Sequence, residues 1–563
     1  MEANTVLKPV ARYVLLCLGA IAAFGADQKI ARDLEGVDPA SKVDVIVQFA
    51  KQPTGANHQR ILDRGGEYKR DLSIIKAGHY SVPASALADL ARDPDVVSIT
   101  PDRAVRGLLD LTADAVNAHV AWQSYGLSGD DIGVAVIDSG IATGRDLPSS
   151  TVVYSQSFVG GGTGDAYGHG THVAGILASN GHSSSCSNCF RSFLGIASGV
   201  NLINLRVLDQ NGNGTDSNVI AALQTAVSLK RTYNIQVINL SLGRPVFESY
   251  TKDPLCQAVE AAWKAGIVVV VAAGNDGRDN SENTNGYMTI TAPGNDPYVI
   301  TVGAMKTEGT PTRTDDLVAS YSSKGPTAID HIAKPDLVAP GNNVVSLAAP
   351  NSTLANLYPG NETLLNYYES GLQGTAGTSP SSAYFTLSGT SMATPVVSGA
   401  VALLLQEHPW LSPDQIKARL MKTAYKSFPT SSVAVDPTAG ISYTSYYDIF
   451  TVGAGYLDIA AALANNDTVQ GTALSPATTY NSTTGTVSLV MGSGVVWGTG
   501  VVWGTGVVWG TNAVSSTGVV WGTGVVWGTG SPSGEGVVWG TGVVWGTTQP
   551  AGEAAHIAIY GEK

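Results

Sequence analysis

Charge is scarce in this chain of 563 residues: Asp, Glu, Lys and Arg together reach only 14%. No stretch gathers Lys and Arg into a basic run, and the formal net charge is -13. That argues against a nucleic-acid partner, because phosphates need clustered cations. The acidic balance favours solubility and says little about substrate. Long hydrophobic runs are missing too. The apolar stretches fall short of the roughly 20 residues that cross a bilayer, so no transmembrane segment is expected in the mature chain. Cysteine is rare, with four in all.

What the chain does have is glycine, 65 residues of it, and an apolar share of 44%. This is a globular composition with an unusual loop and repeat content, and its length calls for several segments. Met1 to Gly25 reads as a secretory signal. Lys8 and Arg12 give the positive start, Tyr13 to Phe24 the apolar stretch, and Ala23-Phe24-Gly25 a small-residue cleavage site. The mature protein is therefore expected outside the cytoplasm. Cys17 leaves with the signal, so Cys186, Cys189 and Cys256 remain, enough for one disulfide and one free thiol. Cys186 and Cys189 can close a tight loop, or either can pair with Cys256. A zinc site adding His182 lacks a fourth ligand.

Residues 26–108 form a small segment with a compact domain at about 43–105, which behind a signal is either a pro-region or a binding module. Strands are expected at Val43–Phe49, His79–Val82 and Val96–Ile99, and helices at Gln59–Gly65 and from Pro83 to Leu90. Two helices over a small antiparallel sheet, a ferredoxin-like α+β domain, suit that order. From 109 to 465 the pattern becomes α/β. Ile132–Ile137, Leu202–Val207, Val237–Leu240 and Ile267–Ala272 are near-continuous apolar strands of the kind buried in parallel sheets. Helical stretches lie between them at His172–Leu177, Asn218–Tyr233 and Pro254–Ala265. The expected fold is a doubly wound, mostly parallel sheet with its site at the C-terminal strand ends. The tail, 466–563, carries Gly-Val-Val-Trp-Gly-Thr repeats over 494–547. Their even period places Val495, Trp497 and Thr499 on one face of an extended chain.

Four motifs carry chemistry. Val136-Ile137-Asp138-Ser139-Gly140 sets a carboxylate just after a buried strand. Gly168-His169-Gly170-Thr171-His172-Val173-Ala174-Gly175 leaves one imidazole uncrowded between glycines; His172 reads as a core histidine. Gly389-Thr390-Ser391-Met392-Ala393-Thr394-Pro395 places a hydroxyl where an apolar helix, Val396 to Gln406, begins. There backbone N–H groups and the helix dipole favour a developing anion, and Pro395 suits a first turn, where its missing N–H costs nothing. Ala272-Ala273-Gly274-Asn275 ends a strand with a side-chain amide. Singly, each has an ordinary reading: a turn Asp, a core His, a capping Ser, a turn Asn.

Together, in the order Asp, His, Ser, these motifs resemble those of the subtilisin-like serine peptidases across nearly all of 109–465. The resemblance implies that Ser391 attacks the scissile carbonyl, His169 takes and returns the proton, and Asp138 fixes the histidine tautomer. It implies that Asn275 and the Ser391 backbone N–H serve the oxyanion. Ser241-Leu242-Gly243 would pair with extended substrate and border the S1 pocket, giving broad specificity with an apolar or aromatic P1 preference. Tyr321–Pro326 and Pro335–Gly341 match framework runs. Residues 43–105 resemble the family's inhibitory pro-peptide, which acts as an intramolecular inhibitor until self-cleavage near 106–112. No cofactor takes part in the chemistry. Structural calcium is compatible with the resemblance, but Ser179 to Phe193, where many relatives bind it, holds no ligand run. Ala348 to Ser382 is expected as a surface loop.

A rival reading makes the chain a cell-surface adhesion protein, its peptidase domain idle and its repeats binding wall, glycan or partner sheets. The complete Asp138, His169, Ser391 and Asn275 set argues against an idle domain. Expression of the wild type beside Ser391→Ala, followed by mass spectrometry, tests the choice. The wild type should lose its pro-region, while the variant accumulates uncut and leaves casein intact.

Overall fold

The computed structural model describes residues 29–31, 34, 37–39, 41–101, 108–109, 111–281, 284–372, 377–436, 440–468, 471–481, 486–490, 519–520, 526–527 and 561–562. The signal stretch, the expected cleavage region and nearly all of the repeats lie outside these residues. The chain divides into two compact units, Met1–Arg106 and Gly107–Lys563.

In the first unit β1 (Lys42–Phe49), β2 (Glu67–Leu72), β3 (Ala77–Pro83) and β4 (Val96–Pro101) form one antiparallel sheet in the order β2-β3-β1-β4. Helices Gly55–Leu62 and Leu87–Ala91 lie between the strands in sequence. Val45, Val47, Ile61, Tyr80, Leu90 and Ile99 make the core. The sequence gives no warning of β2, Glu-Tyr-Lys-Arg-Asp-Leu, which has no buried residue. It is an edge strand held by ladder bonds to β3, so no apolar alternation was required of it.

The second unit is built on strands β5 (Leu108–Leu109), β6 (Gly133–Asp138), β7 (Val152–Ser157), β8 (Arg191–Ser192), β9 (Asn201–Arg206), β10 (Ile235–Leu240), β11 (Val268–Ala272), β12 (Ile300–Lys306), β13 (Leu317–Val318) and β14 (Leu337–Pro340). The main sheet runs β13-β12-β11-β10-β6-β9-β7, with β14 also on β12. All its pairings are parallel except β12 with β13. Every residue of β6, β11, β12 and β14 is buried, which accounts for their largely apolar sequences.

Strand order turns back at β6. The chain passes from β6 out to β7, back through helix His169–Ala178 to β9, then across β6 through helix Asp216–Leu229 to β10 and through helix Pro254–Lys264 to β11. Helices Asp216–Leu229 and Pro254–Lys264 pack on one another, apart from His169–Ala178. Helix Thr390–Glu407 packs against His169–Ala178 and over β10, β11, β12 and β14. The histidine and serine motifs thus share one face, above the strand ends where the order reverses.

The expected surface loop Ala348–Ser382 is more ordered than its polar composition suggests. It contains helix Thr353–Leu357 and the start of a strand at Pro380–Leu387. That strand lies between Val344–Leu347 and Glu362–Leu364 in a three-stranded antiparallel sheet. Tyr368 is buried and donates to Ser381 Oγ at 3.0 Å. Cys186 and Cys189 are joined, and Cys256 is a buried free thiol. The bridged loop leans on this segment, with Phe190 N donating to Tyr368 O and Ser370 N to Asn188 O, both at 2.8 Å.

The framework run Pro335–Gly341 owes its place to a buried charge cluster. Asp336 Oδ2 accepts from Lys334 Nζ at 2.7 Å, and Oδ1 lies 3.2 Å from Lys417 Nζ. Ser475 Oγ donates to Oδ1 at 2.5 Å, and Thr301 N to Oδ2 at 2.8 Å. Burial works against the Asp336 charge, but Lys334 and Lys417 outweigh it and hold the carboxyl below its ordinary range. Asp336→Ala should cost about 3–5 kcal/mol by stranding two buried cations. Urea unfolding of the Ser391→Ala background, which avoids self-digestion, measures it; a change below about 1 kcal/mol would show the cluster to be inert.

Candidate active site

Asp138 is the last residue of β6, only 1% exposed at its side chain. Its Oδ1 accepts from Ser139 N at 2.7 Å and from His169 Nδ1 at 2.8 Å. A carboxylate only accepts, so Nδ1 carries the proton and Nε2 is left with its lone pair. The His169 ring is partly exposed, at 16%. Burial lowers the imidazole's pKa, yet the Asp138 charge and hydrogen bond prevail and raise it above 6.5. His172 is different. It is fully buried, its Nε2 meets Phe385 O at 3.0 Å and Val344 O at 3.1 Å, and burial pushes its pKa down to about 3. It is a neutral donor tying two segments to the helix.

Sequence reading passed over Asp165, four residues before His169. Its Oδ1 accepts from Ser139 Oγ at 2.8 Å and Gly168 N at 2.7 Å; its Oδ2 accepts from Thr171 N and Thr171 Oγ1, both at 2.7 Å. Gly170 N donates to Ser139 Oγ at 2.8 Å. Helix His169–Ala178 starts at a glycine that has no capping side chain, so this upstream carboxylate satisfies its free N–H groups. That is why the helix begins at His169 rather than at His172. The capping signal was an Asp within reach of two N–H groups, hidden because it lies three residues before Gly168 instead of at it.

Ser391 is the second residue of helix Thr390–Glu407. The helix begins six residues before the expected Val396, so Pro395 lies inside it, not in its first turn. A proline there removes the N–H that would bond the carbonyl four residues back, which is Ser391 O. Ser241 Oγ takes that place, donating to Ser391 O at 2.8 Å, while Ser391 Oγ donates to Ser241 O at 3.1 Å. The two motifs are thereby locked to one another at the end of β10. Leu242 is half-buried and Gly243 exposed.

Asn275 follows β11. Its Oδ1 accepts from Thr390 N at 2.9 Å and Thr390 Oγ1 at 3.1 Å, which fixes the amide so that Nδ2 faces the other way. Gly389 has φ +142°, a conformation other residues rarely adopt. A Cβ there would lie 3.2 Å from Asn275 Nδ2 and 3.7 Å from Ser391 N. Two N–H donors therefore flank a small volume that stays open because residue 389 has no side chain. The structure thus joins Asp138 to His169, Ser391 to Ser241, and Asn275 to the residue before Ser391. The sulfurs of Cys186 and Cys189, near Glu369, are spent in their disulfide and are not metal ligands as thiolates.

The profile of the subtilase family matches residues 129–456. The serine protease AprX of Bacillus subtilis (strain 168) is 35% identical over 395 residues, covering 67% of this chain and 82% of that protein. Subtilisin E of the same organism is 31% identical over 375 residues, covering 65% and 79%. The extracellular serine proteinase of Thermus sp. (strain Rt41A) is 31% identical over 391 residues, covering 66% and 77%. With the strand order, the motifs and these relatives in agreement, the chain belongs to the subtilase family of serine endopeptidases.

Proposed function

We propose that this protein is a secreted endopeptidase that cleaves peptide bonds through an acyl-enzyme on Ser391, with His169 as base and Asp138 as its orienting partner. The observation that carries the reading is the Nδ1-protonated His169 held on the buried Asp138, which leaves Nε2 as a proton acceptor. Rotation of the Ser391 hydroxyl from the Ser241 carbonyl towards Nε2 would be the first step; such contacts tighten when substrate binds. Attack moves the hydroxyl proton to His169 and leaves a tetrahedral oxyanion. Asn275 Nδ2 and Ser391 N supply its donors, and His169 then protonates the leaving amine.

Ser241-Leu242-Gly243 receives the extended substrate, with a preference for apolar or aromatic P1 side chains. Residues 26–108 act as a pro-peptide that inhibits the site until removed; the separate compact unit ending at Arg106 supports this. The N-terminal signal pattern supports export, as does the likeness to the extracellular serine proteinase of Thermus sp.. Among the described residues no helix is long and apolar enough to cross a membrane. Calcium serves at most a structural role.

Only neutral His169 can accept the proton, so kcat/KM should rise with pH through a midpoint above 6.5, as the raised imidazole demands. Asp138→Asn removes the charge that raises it. The acid limb should then move to lower pH, with kcat reduced about 10⁴-fold. An unchanged limb in that variant would refute the pairing. Asn275→Ala should lower kcat about 10²–10³-fold with KM nearly constant. Stopped assays on a chromogenic peptide read both; a fall confined to KM would remove Asn275 from the oxyanion role.

A further inference from the structure

The last described residues of the chain, Gly561 and Glu562, lie in a polar pocket of the second unit. Glu562 is 4% exposed. Its Oε2 accepts from Ser320 Oγ at 2.5 Å, Ser320 N at 2.8 Å and Arg278 at 3.1 Å. Its Oε1 lies 3.0 Å from Lys306 Nζ. The backbone is read in both directions, with Glu562 N donating to Asn342 Oδ1 and Asn342 Nδ2 donating to Glu562 O, each at 2.8 Å. Gly561 has φ +67°, and a Cβ on it would stand 2.1 Å from Asn343 Oδ1 and 2.6 Å from Ser388 Oγ. The pocket therefore selects glycine followed by glutamate.

Its cations are themselves nearly buried, the Arg278 and Lys306 side chains being 8% and 9% exposed. The other carboxylate on Lys306 is the more exposed Glu308, at 3.2 Å. Burial would lower the Lys306 pKa, but Glu562 opposes this most and the ammonium stays above its ordinary range. Of these two carboxylates, loss of Glu562 would leave the nearly buried Arg278 and Lys306 only the more exposed Glu308, on Lys306, a costly arrangement.

We propose that Arg278, Lys306, Ser320 and Asn342 form a recognition site for a Gly-Glu segment, and that its ligand is this chain's own Gly561–Glu562. The pocket joins four separate stretches between Arg278 and Asn342, and no part of the proposed catalytic apparatus belongs to it. The segment before the repeats is also tied to this unit: Ala333 N donates to Pro476 O at 2.8 Å and Thr478 N to His331 O at 2.7 Å. The chain is thus tied to this unit both before the repeats and after them. A cut among the repeats would leave the terminal piece attached instead of shedding it.

The test uses the full chain with Ser391→Ala and a site-specific viral protease sequence inserted between Gly534 and Glu535. After cutting, the fragment from Glu535 to Lys563 should co-elute with the peptidase on size exclusion. With Glu562→Gln its release should be about a hundredfold faster, the effect of removing one member of a buried charge pair. Equal release from both proteins, whether fast or slow, overturns the proposal. A second measurement keeps the test independent of how the variant folds. Excess synthetic peptide 557–563 should displace the wild-type fragment, and the same peptide with Glu562→Gln should not; displacement by both, or by neither, overturns it as well.

Discussion

A carboxylate at the end of a wholly buried strand is expensive, and the second unit is arranged around making Asp138 tolerable there. The cost is met by two donors on Oδ1, one from its own neighbour Ser139 and one from His169. Because a buried carboxylate must be paired, the imidazole is drawn to one place and one tautomer. The helix bearing it is in turn held by Asp165, which accepts from four groups around its start. Two carboxylates thus divide the work. Asp165, which burial pushes above its ordinary carboxyl range, faces N–H and hydroxyl donors and sets the helix. Asp138 faces the imidazole and sets its proton. Moving either group would displace the ring that Asp138 holds at the strand end.

On the serine side, tertiary bonds stand in for local ones. Pro395 would ordinarily damage a helix at its sixth position, about 3 kcal/mol or more. Here the carbonyl it leaves bare receives the Ser241 hydroxyl, so the defect becomes the attachment point of a neighbouring strand end. Thr390 does the same for Asn275: backbone and hydroxyl both point at its Oδ1. Strand ends and helix starts are tied by hydrogen bonds of fixed direction, and a site that must hold donors to within fractions of an ångström needs such support.

These ties mark what could be read from the residues and what could not. The buried strands were legible because a parallel sheet covered on both faces demands unbroken apolar runs; Ile132–Ile137 and Ile267–Ala272 predicted β6 and β11 to within a residue or two. The motif residues were legible through their resemblance to a family, and the geometry brings Asp138 and His169 together directly. Helix starts were not. Gly-His-Gly and the Thr-Pro of the serine motif carry low helix propensity, and what overrides it, Asp165 and Ser241, lies outside the helices. Strand β2 was missed because an edge strand with no buried face lacks the alternation that betrays one. Asp336, Lys417 and Ser475 each look like ordinary surface residues; only folding shows that they meet.

The same distinction bears on why charges are buried at these seams at all. Apolar side chains of similar volume would hold Asp336 against Lys334 and Lys417 at least as firmly, and likewise Glu562 against Arg278 and Lys306. What such packing lacks is direction. A hydrophobic contact tolerates sliding, whereas Asp336 accepts from named donors on β12, on helix Pro413–Thr423 and on the segment at Ser475. Lys417 adds three backbone carbonyls, Pro297, Tyr298 and Val299, in the approach to β12. Each cluster lies where segments distant in sequence must stop in one register, and each is paired well enough to avoid the penalty of a stranded charge. The rigidity of Asn275 and Ser391 follows from this frame: β11 pairs with β12, and helix Thr390–Glu407 packs on β12 and β14, whose ends these charges fix.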